Sequence, residues 1–183
     1  MKLIPLFLIA FGLISSSLFG EEEKSYLRTK DDISMKVRKY FKSISIGDID
    51  YAEAFYGESL EVHVNDLSIT GKAEYLKRLE GMITQLFKDI QFKDLHVHTN
   101  YFSSEALTGN GKTFGEYRPT EQTIWTNSWA VFMGVGRTTG KKVSFRIHMD
   151  FRTSKGKVVE MLAYYDPTQR NAEREAIEAA KVK

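Results

Sequence analysis

No cysteine occurs in the 183 residues of this chain. That absence removes disulfides, thiolate metal sites, cysteine nucleophiles and lipid attachment through cysteine. Proline is scarce at 3 and glycine is ordinary at 13, which excludes collagen-like repeats and proline-rich disorder. Charge of one sign is not in excess either. Lys and Arg total 26 against 24 Asp and Glu, a formal net charge of +2. So even a balance does not suit a protein that works mainly on a phosphate backbone, and no nucleic-acid partner is expected. Neither the glycine-rich dinucleotide fingerprint nor a P-loop is present, and no cofactor is expected. Internal repeats and low-complexity linkers are absent too.

What is present begins with an apolar stretch. Met1–Gly20 reads as Lys2, then an apolar run over Leu3–Ile14, then small residues at Ser15–Ser17. Glu21–Glu23 end it abruptly. This three-part layout predicts a cleaved signal peptide over 1–20, with Ser15 and Ser17 suited to cleavage after Ser17. The run is short of a ~20-residue span, so no stable membrane anchor is expected. The expected location is therefore periplasmic or secreted. The remaining 163 residues suffice for one domain with a real core.

Residues 21–30 are charged and predicted to be flexible. Helical spacing of Ile33, Val37, Tyr40, Phe41 and Ile44 predicts a helix from Asp31 or Asp32 to Ser45. Gly47 ends it, and Asp48 caps a second helix carrying Ile49, Ala52, Phe55 and Tyr56. Leu60–Val64 alternates as a strand, Asn65–Asp66 turns, and Leu67–Ile69 returns. A third helix is predicted from Thr70 or Gly71, with an apolar stripe running from Tyr75 through Leu79 and Ile83 to Phe87. From Ile90 the period becomes two. Strands are predicted through Tyr101, over 122–137, 142–152 and 158–165, with a long polar loop over 103–121. A tail helix closes the chain within 168–183 and reads as solvated. Helices that precede strands predict an α+β fold with a mostly antiparallel sheet.

Two-residue turns at Thr139–Gly140 and Lys155–Gly156 would set the register. Asp150 then faces Trp129 on one side and Met161 on the other. On that reading Arg146, His148 and Asp150 share one sheet face with Trp129, Val131, Met133, Met161 and Tyr165. The opposite face carries Phe132, Phe145, Ile147, Met149, Phe151, Leu162 and Tyr164. Both faces hold large apolar groups. One should cover the helices, and the other is a candidate dimer surface.

The C-terminal run TTGKKVSFRIHMDFRTSKGKVVEMLAYYDP resembles the nuclear-transport-factor-2-like superfamily, in particular its SnoaL-like (polyketide-cyclase-like) branch. Gly140, Asp150, Phe151, Arg152, Gly156, Lys157, Val158, Glu160 and Asp166 carry the likeness, which spans about residues 31–167. It implies a cystatin-like cone in which three N-terminal helices pack on a strongly curved sheet, with an apolar pocket in its mouth and a dimer formed through the outer sheet face. Members include isomerases, cyclases, epoxide hydrolases, dehydratases and non-catalytic binders. In the catalytic ones a pocket carboxylate, often on a strand, moves a proton, and Asp150 looks like that aspartate.

Two functional expectations follow. In the first, an exported protein binds a small apolar cyclic or carbonyl compound and catalyses acid–base chemistry on it. Asp150 is the proton-transfer group, its pKa raised by burial, and His148 is its partner. Trp129, Arg146, Val131, Met133, Met161, Tyr165, Tyr40 and Tyr56 are the expected pocket lining. In the second, the chain is a non-catalytic carrier or a dimeric interaction module. The His96–His98 pair, with Asp94 on the same face, could in principle ligate a metal. No carboxylate cluster or helical His pair supports it, so no metal is expected.

Overall fold

The computed structural model describes residues 27–100 and 125–181. The expected signal peptide, residues 21–26 of the N-terminal segment expected to be flexible, the 103–121 loop and Tyr101 lie outside the described residues, while Leu27 and Arg28 of that segment instead pair with Asn100 and Thr99 as a short strand. The chain runs β1 (Leu27–Arg28), α1 (Asp32–Ser45), α2 (Ile49–Phe55), β2 (Tyr56–Val64), β3 (Leu67–Thr70) and α3 (Lys72–Gly81). A π-helical turn (Met82–Leu86) leads into β4 (Phe87–Asn100). Then come β5 (Trp125–Gly136), β6 (Lys142–Ser154), β7 (Lys157–Tyr165) and α4 (Thr168–Lys181). The strands form one sheet in the order β1-β4-β5-β6-β7-β2-β3. Only the β2–β7 pairing is parallel. The α+β architecture and the mostly antiparallel sheet agree with the sequence pattern.

The element borders moved where two periods overlap. Tyr56 opens β2 instead of closing α2, and Phe87 opens β4 instead of closing α3. Both are buried aromatics that suit either period, and the tertiary core decides between them. Arg137 holds the end of the π-helical turn, its guanidinium donating to the carbonyls of Ile83 at 3.0 Å and Phe87 at 3.0 Å. A cation there complements the exposed carbonyl ends.

The inner sheet face and the helices share an aromatic core. Phe151 of β6 is fully buried and meets Tyr40, Phe41 and Phe55 edge-on at centroid distances of 5.9, 6.2 and 5.8 Å. Such pairs add about 0.5–1.5 kcal/mol each beyond their area burial. A buried chain of hydroxyls ties α1 to the sheet: Ser34, Thr99 and Thr126 are linked at 2.9 Å per step.

Curvature comes from bulges. The β4–β5 register slips by one residue between Lys88 and Gln91 and again between Lys93 and His96. Asp89 and Asp94 sit inside those slips with φ of 56° and 52°. Each is an extra residue in the left-handed region, which bends and twists the strand.

The tail helix is not simply solvated. Glu173 on α4 is 2% exposed and accepts from Thr138 N at 2.6 Å and from Thr139 Oγ1 at 2.6 Å. It pins α4 to the end of the β5–β6 hairpin.

Candidate functional site

Register decides which side chains meet, and here the sequence-based assignment needs two corrections. The β5–β6 connection spans four residues rather than two, because Gly136 N bonds Lys141 O. His148 therefore faces Trp129, Arg146 faces Val131 and Asp150 faces Asn127. A slip of two keeps every side chain on its face.

The β6–β7 pairing slips by one, which does not. Ser154 pairs Lys157 and Thr153 pairs Val158, as a two-residue turn requires. Between Arg152 and Thr153 a bulge then leaves Val159 unpaired, and Arg152 faces Glu160. From there onward β7 is flipped. Met161, Ala163 and Tyr165 join Phe151, Met149 and Ile147 on the inner face. Leu162 and Tyr164 join Asp150 and His148 on the outer face. One unpaired residue thus separated Met161 and Tyr165 from the Asp150 face.

The inner face encloses a cavity of about 210 Å³ between the sheet, α1, α3 and α4. Tyr40, Phe41 and Ile44 of α1, Tyr75 and Leu79 of α3, and Met149, Met161, Ala163 and Tyr165 of the sheet form its walls. A row of stacked rings crosses it: Phe132–Phe145 at 4.7 Å and Phe145–Tyr165 at 5.2 Å. Of the expected lining, Tyr40, Met161 and Tyr165 border this space. Tyr56 lies fully buried behind Met161 and donates its hydroxyl to the sulfur at 3.3 Å. Trp129, Val131, Met133 and Arg146 do not border it. Trp129, Val131, Arg146 and His148 instead line a depression on the outer face, with Asp94 and Tyr164.

Three tyrosine hydroxyls gather around Met161, those of Tyr40 and Tyr75 from residues that border the cavity. Tyr40 Oη and Tyr75 Oη are 3.2 Å apart, and Tyr75 also reaches Met161 Sδ at 3.7 Å. Burial, reinforced by the neighbouring phenols, holds Tyr40 and Tyr56 well above the ordinary tyrosine pKa, and burial raises Tyr75 too. They remain neutral hydroxyls across the physiological range. Their hydrogens are engaged with one another and with the Met161 sulfur, and a neutral phenol cannot take a proton from a ligand. Among the described residues no Asp, Glu or His borders the cavity, and the charged ones that do are Arg78 and Arg170. Arg78 and Arg170 were missed at the sequence level, because nothing local distinguishes them from surface arginines.

Asp150 and His148 do meet, on the outer face. His148 Nε2 lies 3.0 Å from Asp150 Oδ1, with the histidine half-exposed. Asp150 Oδ1 also accepts from Asn127 Nδ2 at 2.5 Å, and Asn127 Oδ1 accepts from Asn100 Nδ2 at 2.6 Å. The carboxylate is thus held within a polar ladder across three strands. His96 stacks on Trp129 at 4.4 Å, and His98 meets the same ring edge-on at 5.3 Å. Burial, with His96 adding to it, lowers the His98 pKa. Its Nδ1 is buried without a partner.

One trio among the described residues has mutually close ligand atoms. Glu61 and His63 of β2 and Glu160 of β7 lie within 4.8 Å of one another. Arg152 already neutralises Glu160 at 2.6 Å, and Ser68 engages His63 at 3.0 Å. The trio therefore reads as an ion-pair cluster on the outer face.

The same fold recurs in solved structures. A Xanthomonas campestris pv. campestris protein provisionally described as a polyketide cyclase superposes with a TM-score of 0.56 at 19% identity, over 76% of this chain and 94% of that one. A protein from Bacillus subtilis provisionally described as an isomerase gives 0.57 at 15% identity, over 78% and 91%. This chain has the SnoaL-like, nuclear-transport-factor-2-like fold. An LEH-like epoxide hydrolase of M. tuberculosis shares it at 0.50 and 13% identity, over 81% and 93%. No protein-family model and no curated protein matches the chain.

Proposed function

We propose that this SnoaL-like chain binds a small, largely apolar molecule inside its cone, as a carrier or receptor. The observation that carries this reading is the composition of the cavity wall: aromatic, aliphatic and neutral phenolic groups make up most of it, and among the described residues its only charged groups are the arginines Arg78 and Arg170, with no carboxylate or imidazole. Concave apolar sites with a few polar groups are the usual form of a ligand pocket. The volume lies below the ~300–1,000 Å³ of drug-sized sites, which favours a compact ligand. Proton transfer by Asp150 and His148 has less support than binding alone, since both side chains stand on the other side of the sheet from this space.

The test is titration with the neutral, environment-sensitive dye N-phenyl-1-naphthylamine. The wild-type chain should enhance its fluorescence saturably. Ala163→Phe, which puts a ring into the cavity from a buried wall position, should abolish the effect while unfolding stays cooperative. Asp150→Asn should leave the titration unchanged. Equal dye binding by Ala163→Phe would overturn the reading.

Export and pairing belong to the same proposal. The pattern of Met1–Gly20 supports cleavage and release outside the cytoplasm. Exposed Trp129 and Tyr164, at 45% and 49%, support a homodimer formed through the outer sheet face.

A further inference from the structure

Among the described residues, the two charged side chains that border the cavity carry the same sign. Arg78 reaches it from α3, and Arg170 from the first turn of α4. Arg78 has a partner in Glu74 one turn earlier, at 3.3 Å and open to solvent. Arg170 is half-buried and makes no ion pair or hydrogen bond among the described residues. Long arginine stems often cover apolar surface while their heads reach water. That habit accounts for the stems. It does not account for two cations bordering one cavity whose described lining holds no acid. A guanidinium beside a low-dielectric cavity projects its field into that cavity more strongly than into bulk water.

We propose that the cavity takes an amphipathic monocarboxylate, its apolar body in the cone and its carboxylate against Arg170, with Arg78 as the second cation. This rests on the reading of the cavity as a ligand site. The wall around Met161 suits an apolar tail, because Tyr40, Tyr75 and Met161 satisfy one another there. Asn65, also at the cavity, is already committed, with its amide bonded both ways to the Tyr165 backbone at 2.9 and 3.2 Å. The arginines are therefore the groups left to recognise a polar head. One guanidinium is unpartnered and the other is shared with Glu74, so about one positive charge is uncompensated. That matches a monoanion better than a phosphate dianion. The planar fork of N–H donors also fits a carboxylate edge-on.

The experiment is calorimetric titration with octanoate and 1-octanol, which differ only in the head, alongside the neutral dye. Octanoate should bind the wild-type chain roughly tenfold tighter than 1-octanol, the worth of one charge-assisted hydrogen bond. Arg170→Met, which keeps the stem and loses the charge, should bring octanoate to within about threefold of 1-octanol. Arg174→Met removes the same charge from an exposed position on the same helix that does not border the cavity, and should keep the preference. The proposal is overturned if 1-octanol binds as tightly as octanoate, if Arg170→Met keeps the preference, or if Arg174→Met loses it equally. Dye binding without octanoate binding would overturn this proposal and leave the cavity reading standing. Failure of the dye, octanoate and 1-octanol alike would overturn both.

Discussion

At the scale of single residues, the core is organised by rings that meet edge-on around Phe151. Its neighbours come from α1 and α2, so removing it loosens helices from sheet as well as leaving a void. Phe151→Ala is expected to lower stability by about 3–5 kcal/mol, read from the urea midpoint at constant m. Tyr75→Phe is a milder change. It deletes one hydroxyl from the Tyr40–Tyr75–Met161 contacts and should lower stability by about 0.5–1.5 kcal/mol. Both phenols were visible in the sequence as helix-stripe residues, but their contact was not. Tyr40 and Tyr75 are 35 positions apart, and only the tertiary fold brings the hydroxyls together.

At the scale of elements, α4 is docked by one buried carboxylate. Burial pushes Glu173 upward, but hydrogen bonds from the Thr139 hydroxyl and the Thr138 and Thr139 amides outweigh it, so its pKa ends below the ordinary glutamate value. The unfolded chain then binds the proton first as pH falls. The stability this group contributes is complete above the ordinary value and is lost as pH drops through the lower, folded-state value. Glu173→Gln should therefore destabilise at pH 7 by about 1.5–3 kcal/mol, and the gap from wild type should narrow on acidification, as measured by urea melts along a pH series. Gly136→Ala tests the same contact from the other side. A Cβ there would lie 2.1 Å from Glu173 Oε2, so the carboxylate must leave its bonds. A similar loss, with fraying of α4 by hydrogen exchange, is expected. Asp94 reports on the bulges. Its φ of 52° is open to Gly and hostile to a β-branched side chain. Asp94→Val should cost about 1–2 kcal/mol in thermal unfolding, whereas Asp94→Gly should stay near wild type.

At the scale of the whole molecule, the sheet has two working faces. The inner one closes a cavity with the helices, and the outer one carries exposed His96 and Trp129 and half-exposed His148, with His98 and Asp150 tucked beside them. If two copies meet through that outer face, as proposed, Trp129→Glu should shift the species seen by light scattering from dimer to monomer without changing dye binding. A monomeric wild-type chain would remove the dimer from the proposal.

The sequence by itself determined the α+β class and the order of elements. It also determined which residues within each strand alternate, because propensity and periodicity act over neighbouring residues. The C-terminal run from Thr138 to Pro167 was enough to show the likeness to the cone fold. It also showed that Asp150 and His148 would lie together, since i and i+2 share a strand face whatever the register. It could not show which face that was. Only the tertiary structure decided this, through the single bulge that leaves Val159 unpaired and turns Met161 and Tyr165 inward. A bulge relieves a curvature conflict between strands that are already packed, so no local pattern announces it. The arginines at the cavity were hidden for the same reason: α3 and α4 come to border one cavity only once the sheet has curved.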